Sequence, residues 1–227
     1  MKPFTDSRKK PIIAINFKTY ESSTGERAMK LAKYADEVYN DYGVPVIIAV
    51  QATDIAKISG TVDIPVYSQH AEAVGFGAHT GTVLLESIKA AGAKGTIINH
   101  SEHTLDLKII EKIVHRAKEL GLKTIVCAGT ADQAKAVACF VPDYVAFEPP
   151  ELIGGNVSVS SAQPDVIKDA VKKVKSVSPT TEVLVGAGVK SKDDVDKAVF
   201  LGAAGVLLAS HVTEAKFQKE AIKGLIR

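Results

Sequence analysis

The stretch Gly95–Cys127, GTIINHSEHTLDLKIIEKIVHRAKELGLKTIVC, holds one complete turn of the pattern that runs through the whole chain. It opens on GTIIN, a short run rich in Ile and Thr with no polar alternation, as expected of a strand buried on both faces. From Asp106 to Leu120 the apolar positions Leu107, Ile110, Ile113, Val114 and Ala117 recur at helical spacing, with charged residues between them. Gly121 stops that helix, and a second apolar run begins at Lys123. A strand, a helix and a strand joined this tightly imply parallel strands and a right-handed crossover.

Working outward, the same unit recurs in both directions. Short Val- and Ile-rich runs fall at Pro11–Phe17, Pro45–Val50, Pro65–Ser68, Gly95–Asn99, Lys123–Cys127, Tyr144–Glu148, Glu182–Gly186 and Gly205–Ala209. Segments of helical spacing separate them at Gly25–Tyr42, Asp106–Leu120, Thr130–Phe140, Pro164–Val177, Ser191–Leu201 and Ala215–Ile226, with a weaker one at Thr53–Ile58. Pro164 suits a first helical turn, and Ser191 with Asp194 has the spacing of a helix cap. Eight such units could close into a barrel or lie open as a doubly wound sheet. An open sheet usually carries a glycine fingerprint after its first strand, where this chain reads Asn16-Phe17-Lys18-Thr19. Units averaging about 28 residues favour the closed (β/α)8 barrel, with residues 1–227 as one α/β domain.

Composition narrows the function classes. Of 227 residues, 46% are apolar, which suffices for a sizeable core, and the net charge is only +2. The densest basic patch, Lys168, Lys172, Lys173 and Lys175, lies on a predicted helix with Asp165 and Asp169, which reads as a solvated face and not a nucleic-acid site. The two cysteines, Cys127 and Cys139, suit neither a disulfide framework nor a metal cluster, and Cys127 falls in an apolar run as a reduced core thiol. Met1–Lys10 holds no apolar run of the kind a secretion signal needs, and no stretch is apolar enough to span a membrane. A cytoplasmic enzyme without metal or cofactor is the expectation.

Active sites of such barrels form at the carboxyl ends of the strands. Read there, the chain offers Asn16 and Lys18 after the first strand, Asn99-His100-Ser101-Glu102 after the fourth and Glu148-Pro149-Pro150-Glu151 after the sixth. The seventh ends in Gly186-Ala187-Gly188 and the eighth in Ala209-Ser210. A lysine, a histidine or a glycine at a turn is ordinary by itself, and a glutamate closing an apolar strand is costly to bury without a partner. Together they place a cation, an imidazole and a carboxylate at one mouth, beside small residues whose main-chain N–H groups a ligand could approach.

With these motifs in order along the chain, the sequence resembles the triosephosphate isomerases, most closely their archaeal branch. The likeness runs through Asn16-Phe17-Lys18, His100-Ser101-Glu102, Glu148-Pro149, Leu152-Ile153-Gly154-Gly155, Gly186-Ala187-Gly188-Val189 and Leu208-Ala209-Ser210. It implies interconversion of dihydroxyacetone phosphate and glyceraldehyde 3-phosphate through an enediolate. Glu148 would be the base, His100 a neutral hydrogen-bond donor, Lys18 and Asn16 the groups that bind substrate, and Glu102 the partner of Lys18. Ile153, Gly154, Gly188, Ala209 and Ser210 would hold the phosphate, with Pro149–Ser160 as a closing lid. Thr80, in the loop Gly75–Gly81, would reach Asn16 and Lys18 of a second copy, in a homodimer or homotetramer. Where much of the family has Gly-Gly-Ser-Val after strand seven, this chain has Gly-Ala-Gly-Val, and His211 after Ser210 is unusual: a surface residue or an outer contact to the phosphate. Two further readings remain open at this point, a Schiff-base aldolase using Lys18 and a barrel that binds phosphate without catalysis.

Overall fold

Every strand predicted from the apolar runs forms within a residue or two of its expected ends. The computed structural model describes residues 10–149 and 164–227. Its strands are β1 (Ile12–Asn16), β2 (Val46–Val50), β3 (Val66–Ser68), β4 (Gly95–Ile98), β5 (Lys123–Ala128), β6 (Tyr144–Phe147), β7 (Glu182–Val185) and β8 (Gly205–Leu208). All pair in parallel with their sequence neighbours, and β8 returns to β1, so the sheet closes as a barrel in the order β1 to β8. At the closing seam Ile12 stands opposite Gly205. A Cβ on Gly205 would come within 2.1 Å of the Ile12 carbonyl oxygen, so only glycine lets the first and last strands meet.

The pleat sorts each apolar run into two cores. Alternate residues Ala14, Ile47, Tyr67, Ile97, Ile125, Ala146, Leu184 and Leu207 fill the barrel. Their neighbours Ile13, Ile15, Val46, Ile48, Val126, Val145 and Val206 face outward under the helices. Continuing the inward series by one more step reaches Asn16, Cys127, Glu148, Gly186 and Ala209. The two-residue period of the strands therefore stacks these groups directly above the apolar filling.

The outer layer comprises α1 (Glu26–Tyr42), α2 (Ile55–Ser59), α3 (Leu85–Ala90), α4 (Leu107–Glu119), α5 (Ala131–Ala138), α6 (Pro164–Val177), α7 (Lys192–Phe200), α8 (Ser210–Thr213) and α9 (Gln218–Lys223). Ser191 and Asp194 form a reciprocal capping box at the start of α7. Three of the four lysines of α6 meet acids: Lys168 pairs with Asp165, Lys173 with Asp132 and Asp169, and Lys175 with Glu182, as a solvated face should. No described helix is long and apolar enough to cross a membrane.

Two expectations change. The segment Ala215–Ile226 forms one helix, α9, but over Gln218–Lys223 only. Gln218 Nε2 donates to the Thr213 and Ser22 carbonyls, which ties the start of α9 to the end of α8 and to the segment after β1. The helix α3 was not anticipated. It is six residues long and buries only Leu85 and Ile88, too little to show a period.

Candidate active site

Each functional side chain is fixed by a local device at its strand end. Asn16 is buried, and its Oδ1 accepts from the Lys18 main-chain N–H at 3.0 Å. That bond holds Lys18 at φ 48, an uncommon conformation for a residue with a side chain, and Gln69 Nε2 anchors the Lys18 carbonyl at 2.9 Å. The lysine side chain is 16% exposed, and its Nζ donates to Glu102 Oε1 at 2.9 Å. The expected partnership of Lys18 and Glu102 is present.

The loop after β4 depends on Asn99. This residue sits at φ 59, donates through Nδ2 to the Cys127 carbonyl at 2.9 Å and accepts from the Leu105 N–H at 2.8 Å. One amide thereby ties the loop to β5 and closes it on itself. Within that loop the Glu102 N–H donates to His100 Nδ1 at 3.2 Å. A nitrogen that accepts cannot also carry the proton, so the neutral ring holds it on Nε2. Glu102 Oε2 also lies 3.5 Å from Nδ1. The main-chain donor is closer, and the carboxylate is 62% exposed with its other oxygen engaged by Lys18, so the N–H is the partner of Nδ1.

Glu148 is 8% exposed and its Oε2 is buried with no hydrogen-bond partner. That oxygen lies 3.9 Å from His100 Nε2. Burial pushes the carboxyl pKa up, and the hydrogen bond from the Cys127 thiol and the charge of Lys18 pull it back without reversing the shift. Gly186 makes room for it: a Cβ there would stand 2.4 Å from Glu148 Cγ. The sequence suggested only a glycine whose backbone approaches a ligand, whereas its neighbour is the carboxylate.

Asn16, Lys18, His100, Glu148, Gly188, Ala209 and Ser210 all line one cavity of about 140 Å³ at the carboxyl mouth of the barrel. Ala187 and Gly188 both take positive φ, 76 and 72, which turns the chain after β7 beside the end of β8. Glu102 stands behind Lys18, and Thr80 is exposed on its own loop. Ile153, Gly154 and the lid segment after Pro149 lie outside the described residues. Sequence reasoning assigned no role to Asn99, Cys127 or Lys190. A residue tolerant of left-handed backbone directly after a strand was the available signal for Asn99, and the two-residue period was the signal for Cys127. Among the described residues no cluster of three or more metal-ligating side chains occurs.

The family model described as triosephosphate isomerase matches residues 11–224. The chain belongs to the triosephosphate isomerase family. It is 50% identical to the triosephosphate isomerase of Methanothermus fervidus over 217 residues, covering 96% of this chain and 98% of the relative. The isomerase of Methanocaldococcus jannaschii is 47% identical, covering 95% of this chain and 99% of its own. That of Archaeoglobus fulgidus is 46% identical, covering 96% and 98%. Membership of the triosephosphate isomerase family thus extends through the barrel and all the described site residues.

Proposed function

We propose that the reaction of this family, interconversion of dihydroxyacetone phosphate and glyceraldehyde 3-phosphate, runs in this chain on Glu148 and His100. Glu148 takes a proton from one substrate carbon and returns it to the next. His100 donates from Nε2 to the oxygens of the enediolate, and Lys18 supplies fixed positive charge close by. These roles are the ones known for the family, carried onto these residues by position. The observation that carries the reading is the buried, unpartnered Glu148 Oε2 at 3.9 Å from His100 Nε2. A carboxylate oxygen kept dry and unbonded is a strong base, and an imidazole whose other nitrogen already accepts is a donor.

The phosphate dianion lies on main-chain N–H groups of Gly188, Ala209 and Ser210, where β7 and β8 end side by side, with Ile153 and Gly154 added from the resemblance. Asn16 orients Lys18 through its main chain and reaches the same cavity. The aldolase alternative would need a Lys18 amine free to attack a carbonyl, whereas its Nζ is engaged by the Glu102 carboxylate. We further infer that the loop bearing Thr80, with Phe76 81% exposed, meets a second copy in a homodimer or homotetramer. A cytoplasmic setting completes the reading and suits the free thiols of Cys127 and Cys139.

Turnover of glyceraldehyde 3-phosphate in a coupled assay tests the assignment. Glu148→Gln should lower kcat by about 10² to 10⁴ while a substrate analogue still binds. A near-normal rate in that variant removes Glu148 from the reaction, and borohydride trapping of a covalent adduct at Lys18 would restore the aldolase.

A further inference from the structure

One wall of the cavity is not used by the mechanism above. His211, in α8, is half-buried and lines the same space as Gly188 and Ser210, and Lys190 lines it too. Glycine and alanine backbone would suffice to cradle a phosphate, so two ionisable side chains here add something the main chain does not supply. We propose that His211 is a specificity residue for the phosphate end of the substrate, taking up a proton as the dianion arrives and thereby setting affinity and not turnover. This rests on the placement of the phosphate beside Gly188 and Ser210 given above.

The charges facing His211 come from the turn after β7 and the first turn of α7. Burial lowers the pKa of the ring, Lys190 lowers it further, and Asp194 pulls it back without reversing the shift. Asp194 is already committed: its Oδ2 accepts from the Lys190 N–H, the Ser191 N–H and the Ser191 hydroxyl at 3.0, 3.1 and 2.9 Å. The nearby anion is thus spent on the helix cap, and a ligand dianion would be the dominant negative charge at the ring. Its arrival reverses the local field, and the proton follows. By linkage, each unit by which the ligand raises the ring's pKa strengthens binding up to about tenfold at low pH.

Inorganic sulfate is the suitable probe, because it stays a dianion across the range in which histidine titrates. Calorimetry at pH 8.0 and 5.5 should show sulfate binding that tightens with acidification at least about fivefold more in the wild type than in His211→Gln. His115→Gln, which removes an exposed histidine on α4, should keep the wild-type slope. Binding heats in buffers of different ionisation enthalpy should show proton uptake in the wild type near pH 6.5. If His211→Gln fails to fold, the His211 ring resonance of the wild type serves instead, and its titration should move upward on saturation with sulfate. Equal slopes in the wild type and His211→Gln, or a ring titration that sulfate does not move, overturns the proposal. Sulfate binding needs no turnover, so a wild type inactive on glyceraldehyde 3-phosphate would sink the isomerase assignment separately.

Discussion

Replacing Gly186 with alanine tests how the base is held. No positive φ is needed at this position, so alanine is tolerated by the backbone and the effect is one of space. The added Cβ would lie 2.4 Å from Glu148 Cγ, 2.6 Å from Oε1 and 2.8 Å from Cδ. Ordinary contact starts near 3.4 Å, so the glutamate must retreat by about 1 Å to relieve the closest approach. A reacting group misplaced by about 1 Å costs on the order of 10²-fold in rate, and that is the expected loss in kcat. The coupled assay with glyceraldehyde 3-phosphate reads it, and a thermal melt checks that the fold survives. Because alanine acts through the carboxylate alone, Gly186→Ala combined with Glu148→Gln should be no slower than Glu148→Gln by itself. A kcat for Gly186→Ala within a factor of about two of the wild type, or losses that multiply in the double variant, refutes this account of the pocket.

Three further outcomes follow from the same geometry. Asn99→Gly keeps the left-handed backbone but loses both tethers, while Asn99→Ala also pays about 1 kcal/mol for the conformation; melting temperatures should fall in the order wild type, glycine, alanine, and equal values for the two variants would contradict it. The acid limb of kcat/KM should lie above 4.5, since burial raises the Glu148 carboxyl and the base acts only when ionised; a limb at or below that value counts against Glu148. His70, stacked 3.9 Å from the His103 ring, has its pKa lowered by burial first and by His103 second, against the pull of Glu72. The unfolded chain therefore binds that proton more tightly, so stability should drop as pH falls below about 6.5, and His70→Gln should flatten the drop in denaturant titrations; an unchanged slope would clear the pair of any part in it.

The barrel could be read from the chain because each strand is a short, mostly apolar run and each long helix buries one stripe. α3 escaped because two buried residues, Leu85 and Ile88, make no period. The chemical residues were visible as unusual strand ends, and the resemblance ordered them. Part of what holds them was legible too: the pairing of Glu102 with Lys18, and a main-chain N–H aimed at His100 from the residues just after it. The rest was not. Asn99 acts through a main-chain angle and two bonds to distant backbone, and Gly186 through a missing atom opposite Glu148. Those bonds and that missing atom belong to positions in space, and only the left-handed angle at Asn99 had a local signal.

The meeting of Ile12 with Gly205 has a consequence for how the enzyme comes into being. Lys18 hangs from the strand that is made first, and Ala209 and Ser210 follow the one made last, so the cavity has no floor plan until that final stitch is drawn. A nascent chain with most of its helices in place is still chemically silent. During refolding, the first molecule of substrate turned over would timestamp the joining of the two ends of the sheet.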